Sequence, residues 1–127
     1  MKLRIRGNSV RLRLTRGEVE QLGTSGIVEE AVEFGLEDSK LGYRILASSD
    51  HEKLSAKFED GRISIFVPKL DAEKWANSNQ VSIEEGQHIG DGRWLRLLIE
   101  KDFACLKPRA DEDESDAFTH PIANARQ

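Results

Sequence analysis

The sequence predicts a mainly β protein, a β-barrel carrying two short helices. Three observations lead there: apolar residues alternate strictly in short segments, turn dipeptides separate those segments, and the whole pattern occurs twice. Sliding the second half back by 53 positions lays "FEDGRISIFVPKLDAEKWANSNQVS" on "IRGNSVRLRLTRGEVEQLGTSGIVE" without a gap. Val10, Leu12 and Leu14 then meet Ile63, Ile65 and Val67. Thr15 meets Pro68, Val19 and Leu22 meet Ala72 and Trp75, and Val28 meets Val81.

In the first half, "KLRIR" and "VRLRL" read as half-buried strands with Leu3, Ile5, Val10, Leu12 and Leu14 inward, joined by a tight turn at Gly7-Asn8. Thr15 followed by Glu18 is a capping box that opens a short helix over residues 16 to 22. Two more strands follow, at 27 to 34 and 42 to 48. In the second half the strands are "AKF" and "ISIFV", turning at Asp60-Gly61. Pro68 opens a helix whose buried side is Leu70, Ala72 and Trp75. Strands at 80 to 85 and 93 to 101 complete the set, with "GDG" at 90 to 92 as their turn.

The unit is therefore strand, strand, helix, strand, strand, an internally duplicated ββαββ pattern. One copy leaves a sheet edge open and cannot enclose a core, so two copies are expected to close one barrel with pseudo-twofold symmetry. This predicts a single domain over residues 1–106, with repeats at 1–53 and 54–106, and a monomer, because both half-barrels lie in one chain. The acidic run "DEDESD" falls in residues 107–127, which read as a disordered tail because they hold few apolar groups to offset the entropy of ordering.

A chain of 127 residues suits one domain, and 38% hydrophobic with 33% charged residues describes an ordinary globular chain with a highly charged surface. No apolar run approaches the roughly 20 residues needed to span a bilayer, and a lone cysteine, Cys105, cannot form an internal disulfide. A cytoplasmic location without membrane contact is the expectation. The charge is unevenly spread. Lys2, Arg4, Arg6, Arg11, Arg13 and Arg16 crowd the first sixteen positions with no acidic residue among them, although the net charge is -4.

The string "RIRGNSVRLRLT" resembles the opening of MazE-type antitoxins in the wider AbrB group. Gly7-Asn8-Ser9 match that motif's turn, and Arg13 falls on its arginine. "FEDGRISIFVPKLDAEKW" resembles the AbrB form, with its acidic-Gly-Arg turn and a proline at the helix start. The resemblance implies a swapped-hairpin barrel, here as two fused half-barrel repeats, and DNA binding by the basic N-terminal strands. It departs from the pattern at Arg6, where the motif has tryptophan, and at Thr15, where proline is usual. The second copy holds Ser55, Glu59 and Ser64 at basic positions and keeps only Lys57. The whole chain also resembles a family of short bacterial proteins of unknown function.

Alternation puts Lys2, Arg4 and Arg6 on one face of the hairpin with Arg11 and Arg13. Five cations there repel unless an anion lies over them, and a duplex is one such anion: a two-stranded ribbon fits the major groove, with Asn8 and Ser9 at the turn and Asn8 placed to read adenine. A second reading covers the ribbon with a protein partner or with the chain's own tail. A third leaves it solvated. The tail residues Asp111, Glu112, Asp113, Glu114 and Asp116, with Phe118, are candidates for contacting a protein partner, as the acidic tail of an antitoxin does.

Catalysis finds little support. His51, His88 and His120 do not pair on one element as metal ligands, Cys105 reads as a small packed side chain, and the glycines mark turns rather than a phosphate cradle. Trp75 and Trp94 read as core or rim packing. The expectation is a non-catalytic nucleic-acid-binding or regulatory protein without cofactor or metal. The alternative is a protein-interaction module that does not bind DNA.

Overall fold

The computed structural model describes residues 1–103 and Phe118. The chain forms β1 (Lys2–Arg6), β2 (Ser9–Leu14), α1 (Arg16–Ser25), β3 (Ile27–Glu33) and β4 (Lys40–Ser48). It continues through β5 (Ser55–Glu59), β6 (Arg62–Pro68), α2 (Lys69–Ala76), β7 (Ser82–His88) and β8 (Trp94–Lys101). The fold is mainly β, with two helices and two four-stranded sheets of order β1-β2-β8-β7 and β3-β4-β6-β5.

Each sheet draws one hairpin from either half of the chain. The central pairs, β2 with β8 and β4 with β6, are parallel, and the outer pairs are antiparallel. The hairpins β1–β2 and β5–β6 share one register: Leu3 faces Leu12 as Ala56 faces Ile65, and Arg6 faces Ser9 as Glu59 faces Arg62. Their turns differ in detail. Gly7 takes a left-handed φ of 56°, whereas Asp60 and Gly61 both do, at 54° and 71°, as a type I′ turn requires.

The predicted capping box forms, with Glu18 N donating to Thr15 Oγ1 at 3.3 Å and Thr15 N donating to Glu18 Oε1 at 2.9 Å. Helix α1 runs past residue 22 and through Gly23 to Ser25, and ends at Gly26, which takes the left-handed region with φ of 78° while its N–H donates to Leu22 O. Helix α2 starts after Pro68 without a side-chain cap. The core lies between the sheets and under the helices, formed by Leu12, Leu14, Leu22, Ile45, Ile65, Val67, Trp75, Leu97 and Ile99 among others. Trp75 is fully buried, yet its indole N–H is satisfied by Val81 O at 3.1 Å.

Several sequence expectations are corrected. Ile5 points toward the core face but is 58% exposed, since it stands near the hairpin tip, beyond the packed layer. Leu70 is 78% exposed: Ala72 and Trp75, three apart, define the buried stripe of α2, and Leu70 lies well round the helix from Trp75. Val28 does not correspond to Val81. Val28 faces Ile45 as Ile83 faces Ile99, so the gapless alignment slips by two residues where the connection from α2 to β7 is longer.

No closed barrel is found, and no backbone ladder joins the two sheets among the described residues. One seam, between edge strands β5 and β7, is bridged by a side chain: Ala56 N donates to Gln87 Oε1 at 2.6 Å, and Gln87 Nε2 donates to Ala56 O at 3.0 Å. Across from it, the Met1 ammonium links β1 to α1 and β3 through Glu18 and through Glu30, the latter at 2.8 Å.

Candidate functional site

Direct cross-strand partners share a sheet face. The registers therefore place Lys2, Arg4 and Arg6 of β1 with Arg13 and Arg11 of β2 on the side of the first sheet away from the core. They extend that row onto β8. Arg13 neighbours Glu100, Arg11 neighbours Leu98, and Ser9 neighbours Arg96. On β7 the same face continues with Ser82, Glu84, Gly86 and His88, the last opposite Trp94. Six cations thus share one face with Glu84, Glu100 and an exposed tryptophan.

Carboxylates from the far end of the sequence hold several of these cations in place. Glu100, only 6% exposed, accepts from Arg13 Nε at 2.9 Å and lies 4.0 Å from Arg11 Nη1. Lys2 Nζ lies 3.7 Å from Asp102, and Arg96 Nη2 lies 3.2 Å from Glu84. The Lys2 and Arg96 pairs are open to water, so each contributes about 0–1 kcal/mol and gives way readily to a competing anion. Lys2, Leu3, Arg4, Arg11 and Arg13 line a concavity of about 310 Å³.

Asn8 and Ser9 work within the turn. Asn8 Nδ2 donates to Trp94 O at 2.7 Å, Arg96 N donates to Asn8 O at 3.0 Å, and Ser9 Oγ donates to Arg6 O at 2.6 Å. The two Asn8 bonds moor the hairpin tip to the start of β8, and the Ser9 bond closes the turn itself. The Asn8 bonds set Trp94 beside the tip. Trp94 is 56% exposed, so it is not a core residue. Its ring stands edge-on to His88 at 5.0 Å and passes over Gly86, where an added Cβ would meet Trp94 Cε3 at 3.5 Å. Glu84, Glu85, Gly86, Trp94 and Arg96 surround a second groove of about 500 Å³.

The corresponding face of the other sheet is less basic: Lys57, Arg62, Arg44 and Lys40 share it with Glu59, Glu29 and Glu33. Where Arg13 stands beside Glu100, Phe66 stands beside Leu46, and Phe66 stacks on His51 with ring centroids 4.3 Å apart. Ser64, matched to Arg11, accepts from Arg44 Nε at 2.8 Å, and Lys57, matched to Arg4, pairs with Glu59 at 2.7 Å. His51 Nδ1 also lies 2.7 Å from Ser48 Oγ. Among the described residues, no three His, Cys, Asp or Glu are grouped to hold a metal ion, and no helix is long and apolar enough to cross a membrane.

Of the expected site residues, the structure gathers Lys2, Arg4, Arg6, Arg11 and Arg13 on one face and puts Asn8 and Ser9 at its tip. Arg96, Trp94, Glu84 and Glu100 join the site unforeseen. Phe118 is exposed, while Asp111, Glu112, Asp113, Glu114 and Asp116, with Cys105 and His120, lie outside the described residues.

Fold and site together define a mainly β protein with two four-stranded sheets, one of which carries a strongly basic outer face. The chain belongs to the Family of unknown function (DUF7009), whose model it matches over residues 1–122. No curated protein and no solved structure matches it.

Proposed function

We propose that this chain is a non-catalytic nucleic-acid-binding or regulatory protein that uses the outer face of the β1-β2-β8-β7 sheet. The observation that carries the reading is the contrast between matched faces. Positions occupied by Lys2, Arg6, Arg11 and Arg13 in one sheet hold Ser55, Glu59, Ser64 and Phe66 in the other, although the two hairpins share one register. The second set shows that such a hairpin forms without these cations, so packing does not call for them. A phosphate backbone does.

The architecture supports a related proposal, that the chain arose by fusion of two AbrB/MazE-like half-barrels. Exchanging β1 with β5, β2 with β6, β3 with β7 and β4 with β8 carries the order β1-β2-β8-β7 into β5-β6-β4-β3, which is the second sheet read backwards. Pairing of hairpins between the halves is the arrangement that a swapped-hairpin dimer would leave after fusion. The fused chain would then be a monomer.

The second reading, a protein-interaction module without DNA binding, draws on the carboxylates that already offset part of the charge, Glu100 for Arg11 and Arg13 and Asp102 for Lys2. Titrating a labelled mixed-sequence oligonucleotide with the parent protein and with an Arg6→Ala/Arg11→Ala/Arg96→Ala variant separates the two. The nucleic-acid reading expects micromolar or tighter binding by the parent and a loss of tenfold or more in the variant. Equal affinities, or no binding by the parent, would count against it.

A further inference from the structure

Resting on the nucleic-acid reading above, we infer that the ligand of this face is a single strand, with one base stacked on Trp94 and its phosphates on the arginines of β8, β2 and β1.

A major groove about 12 Å wide admits a two-stranded ribbon. The cations here span three adjacent strands, β1, β2 and β8, with β7 fixed beyond them. At roughly 4.8 Å per strand spacing the sheet measures about 14 Å between its outer backbones before side chains are added. It does not enter the groove flat, and the hairpin cannot enter alone while β8 is paired to β2 along its length.

Trp94 is 56% exposed on a strand whose alternate residues, Leu95, Leu97 and Ile99, are partly or fully buried. His88 steadies the ring edge-on at 5.0 Å, Asn8 fixes the backbone carbonyl of Trp94, and Gly86 leaves room beneath the ring. An exposed, braced aromatic beside a row of cations is the element that binds unpaired bases. Paired bases offer their faces only to their neighbours in the stack, so a duplex makes no use of it.

Arg96 follows Trp94 by two residues, about 7 Å along the strand, and its row continues through Ser9 to Arg6. Moving away from Trp94, the next rows hold Arg11 with Arg4, then Arg13 with Lys2. Across the sheet on β7, Glu84 stands level with Arg11 and Arg4, lies 3.2 Å from Arg96 and lines the 500 Å³ groove beside Trp94. Carboxylates there accept from base N–H groups, while the cations take phosphates. Asn8, by contrast, has an amide hydrogen committed to Trp94 O, which weakens its use as a reader of adenine in a groove.

The test compares a labelled 15-nucleotide mixed-sequence DNA strand, the same sequence as RNA, and the DNA duplex, against the full chain and its Trp94→Ala and Trp94→Phe variants. Thermal melts confirm folding, which an exposed side chain leaves intact. The inference expects one or both single strands to bind at least fivefold more tightly than the duplex. It expects Trp94→Ala to lose about tenfold on the single strand and to leave the duplex unchanged, while Trp94→Phe retains most of the binding. A duplex bound more tightly than either single strand, or a Trp94→Ala variant that binds single strands as the parent does, overturns the inference and leaves nucleic-acid binding standing. Absence of binding to all three probes overturns both.

Discussion

Arg13 and Glu100, 87 residues apart in sequence, meet across the parallel β2–β8 pair, where Arg13 Nε donates to Glu100 Oε1 at 2.9 Å. Glu100 is nearly buried and also faces Arg11, so one carboxylate orients two of the cations in the candidate site. Glu100→Gln leaves those guanidiniums less well compensated. It is expected to cost about 1–2 kcal/mol of stability and to tighten oligonucleotide binding at low salt, since the face gains a net positive charge. Chemical denaturation and anisotropy titration on one preparation check both signs.

The Gln87 amide takes the place of a strand between β5 and β7, satisfying the N–H and C=O of Ala56 together. Gln87→Ala should destabilise the protein by about 1–3 kcal/mol, because two partly buried backbone groups lose their partner. Hydrogen exchange should show faster exchange at the Ala56 amide before any change at Ile65, which sits in the core of the same hairpin.

Acid stability should depend on Glu18. Burial alone would raise its pKa, but the hydrogen bonds from the Met1 ammonium and from Thr15 outweigh that effect and hold it below the ordinary 4.5. A carboxylate with a depressed folded pKa contributes stability that is complete above about 4.5 and is lost as pH falls from there through the folded value. Melting temperature between about pH 3 and 7 should therefore fall less steeply at the acid end in Glu18→Gln than in the parent. The amine behaves in the opposite sense. Burial lowers its pKa, the bonds to Glu18 and Glu30 more than restore it, and its contribution fades as pH rises above the ordinary 8.0.

Helix α2 offers a paired test of the corrected core. Trp75 is fully buried and Leu70 is 78% exposed. Trp75→Ala should cost about 3–5 kcal/mol, while Leu70→Ala should change stability by less than about 0.5 kcal/mol. Denaturant midpoints of the two variants decide it.

Much of the fold was legible because its signals are local. Alternation marked the hairpins, Thr15 with Glu18 marked the start of α1, and the 53-residue offset matched the hairpin register. The offset failed at Val28, where a longer connection before β7 shifts the correspondence to Ile83, and no local signal shows the length of that connection. The cations of the site were also legible, but Glu100 was not, because it reaches Arg13 through a parallel pairing of distant segments. Trp94 was within reach. It alternates with Leu95, Leu97 and Ile99 and keeps the parity of Arg96 and Glu100, which places it on the outer face. Leu70 misled because a large apolar side chain on a short helix looks like core until the stripe of Ala72 and Trp75 is drawn.

The most direct test of the central claim is the salt dependence of oligonucleotide binding to the full chain, read by anisotropy at several concentrations between about 50 and 200 mM. If the face neutralises about three phosphates of a single strand, log K should fall linearly with log salt at a slope of roughly −2, a loss of about 20-fold over that range. Binding that is absent at the lowest salt, or that holds constant across the series, would contradict a nucleic-acid role for this sheet.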